Sequence, residues 1–237
     1  MEFLNISTLV FSLLYLAGCS STPNNNSQKQ NEDLAPSSEW VELFDGNSLD
    51  GWEQKNGTAS YKVLNGTIVG TTAEGSPNSF LCTQKGYGDF ELTFEVKVDK
   101  ELNSGVQIRS KTREESIGDS NNEAKGRVIG PQVEIVEGDE TGGLSGYIWR
   151  EATGDGWMGE EQNKHDFFKG GDWNQYRILA KGPQITTWIN GHQVEDVNDP
   201  DTYVLFPSGF ISLQVHGIGE REGPFKVSWK NIKIREL

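Results

Sequence analysis

Positive charge is scarce in this chain. Against 35 Asp and Glu stand 21 Lys and Arg, a formal net charge of −14 at pH 7. Binding a nucleic-acid backbone requires clustered Lys and Arg to displace counterions, so that class of partner is excluded. Histidine is scarcer still: His165, His192 and His216 are scattered, with none of the short spacings of zinc sites. The acidic run Glu137-Gly138-Asp139-Glu140 could meet calcium but lacks the EF-hand pattern. No phosphate loop, nucleotide fingerprint or Ser-His-Asp pattern occurs. There is no internal repeat, and helical periodicity never lasts beyond a turn or two.

Glycine and aromatics are plentiful, with 28 Gly, 11 Phe, 7 Trp and 6 Tyr. That balance favours many short strands joined by turns. Phe90 to Val98 alternates Phe90, Leu92, Phe94, Val96 and Val98 with Glu91, Thr93, Glu95 and Lys97, as a strand with one wet face does. Tyr61–Leu64 and Thr67–Val69 flank Asn65-Gly66, and Gln184–Ile189 runs into Asn190-Gly191 before His192-Gln193-Val194; both are hairpin signals. Tyr176–Lys181 and Phe225–Ile234 are also strand-like. The expected fold is all-β, an antiparallel two-sheet sandwich. Two stretches lack strand patterning, Lys111 to Arg127 and the Gly-rich Glu137 to Asp172. The second carries Trp149 and Trp157, and long loops of this kind are usually functional or disordered.

Leu9 to Ala17 is mostly apolar and too short to span a bilayer. It ends in Leu16-Ala17-Gly18-Cys19, which resembles a bacterial lipobox, although the preceding Met1–Asn5 has Glu2 and no Lys or Arg. The resemblance implies a signal peptide over 1–19 and lipidation of Cys19. Residues 20–38, rich in Ser, Asn, Gln and Pro, read as a flexible tether to a domain spanning 39–237. With no acidic cluster after Cys19, the expected location is the bacterial envelope, at the outer membrane facing the periplasm. Removing Cys19 leaves only Cys82, so the domain has no internal disulfide. Cys82, in Phe80-Leu81-Cys82-Thr83, reads as a core residue.

Three strand-like segments place polar pairs two residues apart: Gln107 with Arg109, Gln132 with Glu134, and Gln214 with His216. Residues i and i+2 share a face of a strand. Val106 and Ile108, Val133 and Ile135, and Leu213 and Val215 then point to the core. Any half-exposed strand shows polar residues on its wet face, so one such pair means little. Ordinary wet faces use Thr, Lys, Glu and Ser, whereas this set supplies amides, a cation, a carboxylate and an imidazole suited to directional hydrogen bonding.

The domain opens Leu43-Phe44-Asp45-Gly46-Asn47-Ser48-Leu49-Asp50-Gly51-Trp52. It continues with Asn103-Ser104-Gly105-Val106-Gln107-Ile108-Arg109 and Gly130-Pro131-Gln132-Val133-Glu134-Ile135. Gly171-Asp172-Trp173-Asn174, Trp188-Ile189-Asn190-Gly191, Leu213-Gln214-Val215-His216-Gly217 and Lys230-Asn231-Ile232-Lys233-Ile234 follow. This ordered set resembles the 3-keto-disaccharide hydrolase family, with two departures: many relatives read Glu-x-Gln where this chain has Gln132-Val133-Glu134, and Trp229 stands near where relatives often have Phe or Arg. The resemblance implies a concanavalin A-like jelly roll with its site on the concave face. It also implies chemistry on glycosides whose C3 hydroxyl a partner oxidoreductase has made a ketone.

A C3 ketone acidifies the C2 proton; its removal, loss of the C1 leaving group and addition of water complete a net hydrolysis. This needs a base, a donor for the enolate oxygen and an acid. His216 is the candidate base, Arg109 the oxyanion donor, and Glu134 the acid or the residue that orients His216. Gln107, Gln132 and Gln214 would position hydroxyls, with Trp149, Trp157 and Glu151 lining the site from the long loop. As isolated loop acids, Glu151 and Asp155 favour solvent. No cofactor is expected, although a divalent metal serving the enolate is compatible with the sequence. Glu134-Ile135-Val136-Glu137 puts its two acids on opposite faces, against a retaining glycosidase pair. The alternative function is a non-catalytic, lectin-like carbohydrate-binding envelope lipoprotein.

Overall fold

The computed structural model describes residues 39–136, 143–154 and 156–237. Cys19, the signal segment, the tether, the acidic run at 137–140 and Asp155 lie outside the described residues.

Fourteen strands form among the described residues. The first half gives β1 (Val41–Glu42), β2 (Trp52–Lys55), β3 (Ser60–Leu64), β4 (Thr67–Thr71), β5 (Ser79–Tyr87), β6 (Phe90–Val98) and β7 (Asn103–Thr112). The second half gives β8 (Val128–Val136), β9 (Ile148–Glu151), β10 (Asn174–Lys181), β11 (Gln184–Ile189), β12 (His192–Asn198), β13 (Gly209–Val215) and β14 (Lys226–Glu236). One sheet runs β12-β11-β10-β6-β14-β4-β3, with β1 also on β14; the other runs β2-β5-β13-β7-β8-β9. The pairings are antiparallel, as the alternation in β6 requires of a half-wet sheet. Asn65 and Gly66 (φ 50° and 72°) turn β3 into β4, and Asn190 and Gly191 (φ 49° and 85°) turn β11 into β12. Positive φ at both central residues is the hairpin geometry whose twist matches the strands, and Asn-Gly adopts it with least strain.

The core lies between the sheets. Leu92, Phe94, Val96, Tyr176, Ile178 and Trp229 come from the eight-stranded sheet, and Val106, Ile108, Val133, Ile135, Leu213 and Val215 from the other. Phe94 and Tyr176 stack at 5.1 Å. Two departures from sequence expectation follow from tertiary contacts. Inside the long Gly-rich stretch, β9 forms because Ile148 enters the core while its backbone pairs with Val133. A six-residue helix, α1 (Pro200–Leu205), is too short for a helical period; Asp199 caps it by accepting from the Thr202 backbone N–H, with Pro200 in the first turn.

One irregularity decides the fate of a candidate site residue. Pairing of β7 with β8 shifts register between Gln107 and Lys111, and Arg109 sits there at φ 49°. A bulge of this kind breaks the two-residue parity of the strand. Arg109 therefore leaves the face of Gln107 and crosses to the end of the other sheet. Its Nε donates to Gly88 O (2.7 Å), Nη1 to Gly182 O (2.6 Å) and Nη2 to Asp89 Oδ1 (2.8 Å). The guanidinium lies 5.1 Å from the Tyr203 ring centroid. The expected oxyanion role of Arg109 is thus corrected: it ties two turns together. Replacing it with Leu strips a buried cation from three partners, so Arg109→Leu should lower stability by roughly 3 kcal/mol in urea denaturation. An unchanged midpoint would show that the turns hold without it.

Candidate active site

The outer face of the six-stranded sheet is polar but not wet. Gln107 and Gln214 are 0% exposed, Gln132 2% and Glu134 6%. Polar groups buried this deeply must find partners, and most of these do. Ser110 Oγ donates to Gln107 Oε1 (2.7 Å), Gln107 Nε2 to Gln132 Oε1 (2.8 Å), and Gln132 Nε2 to Glu134 Oε1 (2.5 Å). The relay runs one way and ends on the carboxylate. Asn103 Nδ2 donates to the other carboxyl oxygen at 3.0 Å. Cross-strand register makes this possible, since Gln107 faces Gln132 and Gly105 faces Glu134. Gly105 is essential to the packing: a Cβ there would lie 2.5 Å from Gln132 Cγ and Cδ.

Burial pushes the Glu134 carboxyl up to about 7. The hydrogen bonds from Gln132 and Asn103 pull in the opposite direction and the charge of Glu151 adds to the rise. Desolvation wins because two neutral amides cannot replace the hydration of a carboxylate.

Glu134 opens into a cavity of about 280 Å³ shared with Asn103, Gln132, Trp149, Trp157, Glu151 and His216. Trp149 and Trp157 form one wall, edge to face with centroids 5.1 Å apart. His216 follows β13 by one residue and is half-buried. Its Nδ1 lies 2.7 Å from Gly217 O. A carbonyl only accepts, so Nδ1 carries the proton and the neutral ring keeps its lone pair on Nε2.

Glu151, at the end of β9, is buried rather than solvated. It forms an ion pair with Arg127, itself 2% exposed, whose guanidinium lies 4.9 Å from the Phe80 centroid. Asn78 Nδ2 donates to Glu151 Oε1 (3.2 Å), while Asn78 Oδ1 accepts from the Gly217 N–H (2.9 Å). Asn78 thus fixes Glu151 relative to the residue that orients His216.

The structure therefore brings together Glu134, His216, Gln132, Glu151, Trp149 and Trp157. Gln107 and Gln214 do not line this cavity. Gln107 is the middle of the relay, and the buried amide of Gln214 has no hydrogen-bond partner among the described residues. Their expected contacts with substrate hydroxyls are corrected to positions behind the wall. Cys82 is buried on this same sheet face beside Phe80, and burial pushes its thiol up to about 12, which leaves it unreactive. Among the described residues no three His, Cys, Asp or Glu side chains are grouped to hold a metal ion.

Sequence reasoning missed Asn103, Asn78 and Arg127. Asn103 was within reach, because the two-residue period that selects Gln107 also selects Gly105 and Asn103. Asn78 and Arg127 come from outside any periodic segment, just before β5 and β8, and only the fold carries them in.

The chain matches the 3-keto-alpha-glucoside-1,2-lyase-like domain over residues 39–235, and it belongs to that family. No curated protein matches it. Among solved structures it is similar to a glycosyl hydrolase candidate from Parabacteroides distasonis: 21% identity, 84% of this chain and 94% of that one, TM-score 0.55. A galectin-like protein of unknown function from Bacillus subtilis aligns at 11% identity over 85% and 96% of the two chains, TM-score 0.61. The carbohydrate-binding module CBM66 from the same organism aligns at 14% identity over 78% and 96%, TM-score 0.51. At these identities the likeness establishes the jelly-roll sandwich.

Two predictions rest on Glu134. The folded protein keeps its proton up to about pH 7, whereas an unfolded carboxyl loses it near 4.5. Stability from this group is therefore full below 4.5 and falls as pH rises through 7. The stability of the wild type relative to Glu134→Gln should drop by about 3 kcal/mol between pH 4.5 and pH 8. A pH-independent difference would mean that Glu134 titrates normally. Gly105→Ala should displace Gln132 and raise the Glu134 midpoint further, read by carboxyl NMR; an unmoved midpoint would remove Gln132 from its control.

Proposed function

We propose that this member of the family is an enzyme that cleaves glycosides whose C3 hydroxyl has been oxidised to a ketone. The observation that carries the reading is a carboxyl with a near-neutral pKa sharing a small, tryptophan-walled cavity with a histidine whose lone pair lies on Nε2. A cavity of about 280 Å³ holds roughly one pyranose ring, and aromatic faces suit its C–H groups.

In this reading, Nε2 of His216 takes the C2 proton and the C2–H electron pair passes into an enolate on the C3 oxygen. The enolate collapses to a C1=C2 double bond as the C1–O bond breaks. Protonated Glu134 gives its proton to the departing oxygen. Water then adds across the new double bond, its hydroxyl to C1 and a proton to C2, completing net hydrolysis. With Arg109 elsewhere, the donor available to the enolate is Asn103, whose Nδ2 gives one N–H to Glu134 and keeps a second. Glu151, held by Arg127 and Asn78, lines the same cavity as His216 and faces the imidazolium formed in the first step.

The substrate requires an upstream oxidoreductase acting at C3, and the lipobox-like segment would anchor the enzyme in the bacterial envelope through Cys19. A binding-only role rests on the same tryptophan wall, and turnover separates the two.

His216→Ala should lower kcat on a 3-keto-glucoside by 10²-fold or more, the usual size of general-base catalysis. Because the acid must be protonated, kcat should fall above about pH 7, and Glu134→Gln should remove that limb along with most activity. Wild-type rates in both variants would sink the assignment. Sugar binding without turnover of any 3-keto-glycoside, with and without chelator, would leave the lectin-like role.

A further inference from the structure

The small cavity is one end of a longer depression. Trp149, Glu151 and His216 also line a groove of about 1180 Å³ that runs between the 111–129 segment and the residues after β9. Its lining includes the apolar side chains of Ile117, Ile129, Leu205 and Phe206, and Ile117 and Leu205 are 68% and 60% exposed. Exposed Leu and Ile on a groove wall cost solubility unless something apolar covers them.

Among the described residues the groove carries Lys111, Arg113 and Arg150 against Glu123 and Glu151. Lys111 Nζ sits 5.1 Å above the Phe206 ring and donates to Leu205 O at 3.2 Å. Arg113 donates to Ala152 O (2.6 Å) and Asn122 O (3.4 Å), and its buried Nε has no partner. Neither cation has a carboxylate within ion-pair distance among the described residues. Of the acids on the same walls, Glu151 pairs with Arg127, while Glu123 accepts from Ser120 Oγ and the Ser120 backbone N–H and also feels the charge of Arg113. Arg113 is thus partly balanced by Glu123, whereas Lys111 meets no carboxylate among the described residues; in a chain of net charge −14, such a cation beside apolar side chains marks a place for an anion carried on an apolar body.

We propose that this groove is the leaving-group subsite, and that it selects aglycones made of an aromatic or similarly apolar body bearing a carboxylate or other anionic group, with Lys111 as the discriminating residue. This rests on the function proposed above: with the ketone-bearing ring in the small cavity, the bond to C1 points past Glu151, Trp149 and His216 into the groove. The apolar side chains of the lining take the aglycone body, and the ammonium over Phe206 meets its charge.

The test compares kcat/KM for the 3-keto-glucosides of 4-hydroxyphenylacetate and 4-hydroxyphenylacetamide, whose phenols have nearly equal acidity. The wild type should prefer the acid about tenfold, worth about 1.4 kcal/mol. Lys111→Gln should bring the ratio toward one and Lys111→Glu below one; Lys111 is exposed at a strand end, so both variants fold. Equal use of acid and amide, or a ratio that Lys111→Glu leaves unmoved, overturns the subsite. Failure to turn over any 3-keto-glucoside overturns the catalytic reading, and the subsite is then decided by binding. Quenching of tryptophan fluorescence, excited at long wavelength, should show free 4-hydroxyphenylacetate binding more tightly than its amide, with the difference lost in Lys111→Glu. No difference there overturns the subsite as well.

Discussion

Gln132 lies across the backbone of Gly105, in space that any Cβ would enter, and the rest of the site is set from that contact. With β7 bare at this point, one amide spans from Gln107 to Glu134 and spends both of its ends. A larger residue would force Gln132 off the sheet and leave Glu134 with Asn103 alone. The missing side chain is thus as much part of the site as the carboxyl it serves.

From this packing follows the electrostatics. A sheet face normally sheds its polar groups into water; here loops and neighbouring strands cover it, and amides rather than charges satisfy the buried carboxyl. Amide donors stabilise a carboxylate less than solvent does, so Glu134 holds its proton to near neutrality. Glu151, only a strand away, has a cation for a partner. The two acids of one cavity thus differ in setting: Glu134 is desolvated with only amides for partners, and Glu151 is paired with Arg127.

Much of this was legible from two-residue parity. The strands at Phe90–Val98 and Gln184–Ile189, the two Asn-Gly turns and the shared face of Gln132 with Glu134 follow from period and turn chemistry. Parity failed at Arg109, where a bulge reverses the side chain, and it said nothing of Gln214, whose face is right but whose position is sealed. β9 was hidden in a Gly-rich stretch because its pairing with β8, not its own pattern, makes it a strand. Arg127 stood at the end of a charged run with no periodicity to mark it.

The sequence by itself determined the all-β class, the hairpins, the core face of each strand and, through an ordered series of motifs, the family. These are local quantities: the φ of an Asn-Gly turn and the alternation of a strand do not depend on distant chain. Only the tertiary structure decided which cation reaches Glu151, that Arg127 and not Arg109 is buried beside the cavity, and that Glu134 is desolvated. Burial and ion pairing are properties of what packs over a residue. Here Arg127, Asn103 and Asn78 come from 24, 31 and 73 residues away along the chain, joined by loops whose own sequence carries no period to read.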